Sequence, residues 1–331
     1  MSVLNWVVVG IGDITTKRVI PAILEEPRSV LYGIVTRDPA KASPYGVKCW
    51  TNLNEALADS AVDAVYVATP VALHAPQTVA ALNASKHVLC EKPMAMNLHE
   101  ARVMAAAARN AERLLGIAYY RRTYPKVHRA KELMAQGVIG KPVLAEIQSH
   151  DWFANEDGTR GWLLDPRLAG GGALYDIGSH RIDILNFFFG KPIRVTGQRS
   201  NVVHHHEVED SATILIEYDN GLRGIVDLRR HSRIPRDGFR VIGTDGEMDL
   251  GPLNGPSLVY PGGSETLPTH SNVHYPCIAN FVEAVLDGKP LLASGESSLP
   301  TDWVTEQVMR LGDPVRYTQP TNVGSPAEET V

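Results

Sequence analysis

The chain has 331 residues, 44% of them hydrophobic, which is enough for about two domains with ordinary cores, and its net charge is −5. That balance excludes a general attraction to nucleic acid or anionic lipid, and no run reaches the roughly 18 apolar residues of a membrane helix. Cys49, Cys90 and Cys277 are too far apart for a disulfide framework or a metal-ligand spacing, and the first residues lack the basic start of a secretory signal, so the expected setting is reduced and cytoplasmic.

Residues 1–119 alternate short apolar runs with helix-period segments. Asn5 to Val9, Val30 to Val35, Ala64 to Ala68, His87 to Cys90 and Leu114 to Ala118 read as buried strands, because they are continuous and rich in β-branched residues. Lys17 to Leu24, Leu53 to Asp59, Ala75 to Ala84 and Leu98 to Ala111 carry helical spacing between them. Strands separated by helices predict right-handed crossovers and a doubly wound parallel sheet of the α/β class.

The first strand runs into Gly10-Ile11-Gly12-Asp13-Ile14-Thr15. Two glycines at a strand-to-helix junction allow a tight turn whose N–H groups meet a pyrophosphate, so residues 10–14 are assigned to cofactor binding. Thr15 stands where a third glycine is usual and can cap the helix or donate to a phosphate. At the end of the second strand, Thr36 takes the place of the acidic residue that would hold an adenosine 2′-hydroxyl, and Arg37 can pair with a 2′-phosphate. NADP(H) is favoured; NAD(H) is the alternative, with Asp38 acting one register later. Ala68-Thr69-Pro70, His74 and Glu91-Lys92-Pro93 follow later strand ends, on the edge where open parallel sheets bind ligands. Burial and neighbouring charge can tune a lysine there for proton transfer.

Residues 120–312 read as an α+β domain with an open, mainly antiparallel sheet. Lys126 to Met134 is a helix, and Pro142 to His150, Ile193 to Val203, Ala212 to Tyr218, Leu222 to Arg229 and Phe239 to Ile242 form an antiparallel meander joined by turns such as Asp219-Asn220-Gly221. Leu174 to Phe189 is the strongest helix, and one near Ile278 to Leu286 packs back onto a sheet. Residues 313–331 form an arm or tail. Helical spacing sets Asp176 and His180 on one face, with Asp183 following, so that Asp176 orients the imidazole for proton transfer. Arg121-Arg122 and Arg229-Arg230-His231 read as site-lining or solvated arginines. His204-His205-His206 alternate faces on a strand end, and no metal site is predicted.

In order along the chain stand the GxG turn, Ala68 to His74, Glu91-Lys92-Pro93, Tyr120-Arg121-Arg122, Gly161-Trp162 and the Gly170-Gly171-Gly172 helix with Asp176, His180 and Asp183. Together they resemble the glucose-fructose oxidoreductase, inositol dehydrogenase and rhizopine-catabolism (Gfo/Idh/MocA) oxidoreductases from about Asn5 to Leu311, and within them the 1,5-anhydrofructose reductases. The resemblance implies a Rossmann domain, with Ala68, Thr69, Pro70, His74, Glu91 and Trp162 near the cofactor. It places the nicotinamide between Lys92 and the Asp176/His180 face, with Tyr120 and Arg121 at the substrate and a cis bond before Pro93. Thr15 and Leu163, the latter standing where many members carry Arg, depart from the pattern.

The expected activity is hydride transfer between nicotinamide and a sugar, polyol or related hydroxy/keto compound, His180 moving the proton and Lys92 holding the oxygen. An NAD-dependent inositol or trans-dihydrodiol dehydrogenase is the alternative enzyme, and a non-catalytic NAD(P)-sensing regulator the alternative of another class. Ala212, Ile214 and Ile216 opposite Leu215 give the second sheet apolar residues on both faces, which predicts a homo-oligomer, dimer or tetramer.

Overall fold

Strand β1 (Leu4–Val9) is apolar on both sides because both sides are covered: Val7 and Val9 enter one core, Leu4, Trp6 and Val8 the other. In the computed structural model, which describes residues 2–154, 158 and 160–311, it lies inside a parallel sheet. The other strands are β2 (Ser29–Val35), β3 (Lys48–Trp50), β4 (Ala64–Val67), β5 (His87–Cys90) and β6 (Leu115–Ile117), in the order β3-β2-β1-β4-β5-β6. Helices α1 (Ile20–Glu25), α2 (Leu53–Leu57), α3 (His74–Asn83) and α4 (Leu98–Ala111) make crossovers between them. The strand order reverses between β1 and β4, which is where such sheets open a ligand crevice.

The chain continues through α5 (Pro125–Ala135), β7 (Pro142–Trp152), α6 (Pro166–Ala169) and α7 (Ser179–Phe189). Seven more strands follow: β8 (Pro192–Ser200), β9 (Ser211–Tyr218), β10 (Arg223–Arg229), β11 (His231–Gly243), β12 (Glu247–Asp249), β13 (Ser257–Tyr260) and β14 (Gly263–Thr266). Their sheet has the order β14-β13-β12-β11-β7-β10-β9-β8. It is mainly antiparallel, yet the expected meander is corrected at one point: β10 pairs with β7 in parallel. The reason is α7, which carries the chain from β7 to the sheet edge at β8, so the return through β9 brings β10 alongside β7 in the same direction. On β9, Ala212, Ile214 and Ile216 are buried while Leu215 is 41% exposed.

Two last helices tie the halves together. Helix α8 (Tyr275–Asp287) packs on the parallel sheet, with the Phe281 and Trp6 rings 5.2 Å apart, and Ile117 N–H donates to the Ala293 carbonyl at 2.8 Å. Helix α9 (Gly295–Arg310) lies against α4, α7 and β8. Neither α9 nor β3 is among the elements read from the sequence. The first carries Pro300 inside a mostly polar run, and the second is a three-residue edge strand with Lys48 and Cys49 exposed, so neither has a clear apolar period. Residues 312–331, including the expected arm, lie outside the described residues. Among the described residues no helix is long and apolar enough to cross a membrane.

Candidate active site

The glycine turn is held by contacts that only its own residues supply. Gly10 has φ +93°, a left-handed conformation, and a Cβ there would stand 2.8 Å from the Ala68 carbonyl oxygen, so the β1 and β4 ends approach closely only with glycine. The Thr15 hydroxyl accepts from Gly12 N–H at 3.0 Å and donates to the Gly10 carbonyl at 3.2 Å. It latches the turn and is not free to donate to a phosphate, which corrects that part of the expectation. Asp13 forms an exposed pair with Lys17 at 2.8 Å, and the helical run from Asp13, which passes through a π turn at Thr15–Val19 into α1, has first N–H groups with no carbonyl four residues back. Ile11 and Ile14 flank that start.

At the end of β2, Thr36 accepts from Asp38 N–H at 3.2 Å, and Asp38 caps the next turn by accepting from Ala40 N–H at 3.1 Å. Arg37 is exposed, with no hydrogen bond or ion pair among the described residues. The turn, its free helix N-terminus and Arg37 fit a dinucleotide, whose pyrophosphate would meet residues 10–14.

The next two strand ends are braced from behind. His74 is buried, with Nδ1 at 2.9 Å from the Pro93 carbonyl and Nε2 at 2.9 Å from the Thr69 carbonyl. Both ring nitrogens face protein, so His74 holds the Ala68-Thr69-Pro70 turn to the Lys92-Pro93 turn and offers no polar atom to a cofactor, against the expectation. Glu91 is likewise buried, accepting from the Tyr66 hydroxyl at 2.7 Å and facing His274 Nε2 at 3.3 Å. Burial alone would raise its carboxyl, and the bonds from His274 and Tyr66 hold it below the usual range. It too braces the site from within. The Lys92–Pro93 bond is cis.

Lys92 joins the two halves: its Nζ donates to Asp176 Oδ1 at 2.8 Å and to the Asp176 carbonyl at 3.0 Å. Arg230 donates to Asp176 Oδ2, and Arg160 approaches the same oxygen at 3.5 Å. Burial works to raise the Asp176 carboxyl, but the charges of Lys92 and Arg230 outweigh it and hold the group well below the usual carboxylate range. Asp176 thus faces cations, and its expected bond to His180 is absent. The helical phase behind that expectation fails because residues Leu174–Gly178 wind as a π turn before α7 begins.

His180 is buried, with Nδ1 lacking a hydrogen-bond partner. Its ring meets Tyr120 edge-on at 5.0 Å and Tyr119 at 5.9 Å. Burial first, then the charges of Arg121, Lys92, Arg181 and His274, push its pKa well below the ordinary imidazole value, so it is neutral at neutral pH. A neutral imidazole is a proton acceptor, and the Lys92 ammonium beside it is a donor to an oxygen.

Arg121 lies over the Tyr120 ring at 4.9 Å and donates to Asn254 Oδ1 at 3.1 Å. Trp162 is partly exposed in the turn Gly161–Leu164, next to Leu163 and Leu164, which line a pocket shared with Asp176 and Arg230. Arg122 and Asp183 form a buried pair away from the reacting face. His204 and His206 stack on each other at 5.4 Å beside Trp152 and Phe153, and among the described residues no group of three or more His, Cys, Asp or Glu could hold a metal ion. His274 and Arg160 also reach the site without having been singled out. No local motif marks His274, which arrives from 183 positions away, whereas Arg160 directly precedes the Gly161-Trp162 motif, a neighbour that could have pointed to it.

The family model described as "Oxidoreductase family, NAD-binding Rossmann fold" matches residues 4–119, and the "GFO/IDH/MocA C-terminal domain" matches residues 127–249. The 1,5-anhydro-D-fructose reductase of Ensifer adhaerens is 32% identical over 309 residues, covering 89% of this chain and 92% of that protein. The trans-1,2-dihydrobenzene-1,2-diol dehydrogenase of Mus musculus is 29% identical over 277 residues, covering 80% of each. Among solved structures, the aldose-aldose oxidoreductase from Caulobacter crescentus in complex with glycerol has a TM-score of 0.84 at 26% identity, covering 93% of this chain and 97% of that one.

Proposed function

The chain belongs to the Gfo/Idh/MocA oxidoreductases, with an NAD(P)-binding Rossmann fold, and from that premise we propose that it transfers a hydride between NADP(H) and a hydroxyl-bearing carbon of a sugar or polyol. The observation that carries this reading is the Lys92–Asp176 pair, which joins the two halves at the strand edge that bears the glycine turn, with His180 close enough to feel the Lys92 charge. The cofactor supplies the hydride acceptor or donor. In oxidation His180 takes the hydroxyl proton, while the Lys92 ammonium donates to the same oxygen and stabilises the charge that develops there. Asp176 and Arg230 keep the ammonium in place. In reduction the proton moves the other way.

Two features support NADP(H): Arg37 has no partner among the described residues, and the Asp38 carboxylate already accepts from Ala40 N–H in its turn. Arg37→Ala weakens NADPH binding by about 10- to 100-fold, the worth of a charged hydrogen bond, and NADH binding far less. Equal losses in a fluorescence titration exclude the 2′-phosphate assignment. The exposed Leu215 on β9, opposite Ile225 of β10, supports self-association, which light scattering at working concentration tests.

The main test follows nicotinamide absorbance over a panel of sugars and polyols. Turnover that is lost in Lys92→Ala and His180→Ala supports the enzyme. Tight cofactor binding with no turnover of any compound identifies a sensor instead.

A further inference from the structure

Two arginines beside His180 are buried without enough counter-charge. Arg121 is 8% exposed and Arg181 is 5% exposed, and each has an Nη1 with no hydrogen-bond partner. Arg181 Nη2 donates to Asp237 Oδ1 at 2.7 Å and to Ser149 Oγ at 3.3 Å. Arg121 has only the neutral Asn254 and the Tyr120 ring as partners, and no ion pair with a carboxylate among the described residues. The two guanidiniums feel each other: burial first, then the Arg121 charge, lower Arg181 to about 10.

Asp237 pairs with Arg181, and its other oxygen already accepts at 3.2 Å from the N–H of Asn254, the residue whose Oδ1 accepts from Arg121. Leaving a charge buried and unpaired is strongly unfavourable, so such a cluster persists where something else completes it. We propose that the substrate is a sugar acid whose carboxylate binds the free Nη1 edges of Arg121 and Arg181; this rests on the oxidoreductase reading above. The Arg121 guanidinium has no carboxylate partner among the described residues, and a monoanion offsets that one charge. Arg121 is linked to the reacting face through Tyr120, whose ring lies 5.0 Å from that of His180. Arg121 is also the largest single charge acting against protonation of His180. A bound carboxylate offsets that charge, so the acid substrate raises the basicity of the group that takes its proton.

Calorimetry on the full chain with NADP+ compares matched probes: D-glucuronate with D-glucose, D-galacturonate with D-galactose, and D-glucose 6-phosphate. The expected result is a preference of about 10- to 100-fold for the acid over its neutral partner, which largely disappears in Arg121→Gln. NADPH fluorescence checks that the variant is folded, and the comparison within the wild-type protein stands without it. Equal binding of acid and neutral sugar overturns the proposal, and tighter binding of the sugar phosphate overturns the choice of carboxylate. Tight acid binding without turnover of any compound supports the anion site and removes only the oxidoreductase reading.

Discussion

Two carboxylates on neighbouring turns of one helical segment meet cations in opposite ways. Asp183 and Arg122 form a closed unit: Nε to Oδ2 at 2.9 Å, Nη2 to Oδ1 at 2.5 Å, with the rest of the guanidinium donating to Leu292 and Ser297 and Thr301 donating to Asp183. Their side chains are 2% and 1% exposed, and the unit ties the start of the second half to α7 and α9. Around Asp176 the chemistry is open. Lys92, Arg230 and Arg160 share one carboxylate, while nearby His180 Nδ1, Arg121 Nη1 and Arg230 Nε have no partners. A satisfied buried pair holds structure and has nothing left to offer, whereas unsatisfied donors mark where a ligand completes the site.

The largest effect that tests this contrast is catalytic. Lys92→Ala and His180→Ala lower kcat by about 10²- to 10⁴-fold, the range for a positioned proton-transfer or charge-stabilising group, with little change in Tm. A collapse of Tm with kcat retained places these residues with the closed unit instead. Next, Asp183→Ala leaves the Arg122 charge buried and lowers unfolding free energy by about 3–5 kcal/mol in urea titrations. A loss below about 1 kcal/mol means that the pair is not the tie described.

The smallest effect is in pH. The folded His180 takes a proton only below the ordinary imidazole value of about 6.5, whereas the unfolded chain takes it there. The oxidation kcat/KM, which needs neutral His180, stays level as pH falls through about 6.5 and declines only below it. Stability contributed at this position is full above about 6.5 and diminishes as pH drops further, because the unfolded state then binds the extra proton. An acid limb centred at or above 6.5 that His180→Asn removes contradicts the depressed value.

Much of the fold is legible in the chain. The β5 and α4 bounds coincide with the readings His87 to Cys90 and Leu98 to Ala111, since Pro93, Asn97 and the apolar runs mark their ends. β3 and α9 are hidden because a short edge strand and a polar helix carry no apolar period. The site is legible in the same uneven way. Lys92, Asp176 and His180 stand out as motif residues and Arg230 as a site-lining or solvated arginine, while His274 enters only through folding.

The sequence by itself determined the two kinds of sheet, the glycine turn and the strand-end lysine, because these depend on local backbone geometry and on apolar spacing. Only the tertiary structure decided that Asp176 faces Lys92 and Arg230 and not His180, that Thr15 and His74 are braces, and that Arg181 pairs with Asp237 while Arg121 meets only Asn254 and the Tyr120 ring. The direction of a side chain after a π turn, and the charge around a buried group, depend on what packs across the cleft. Residues up to 183 positions apart meet there, and no local pattern encodes such a meeting.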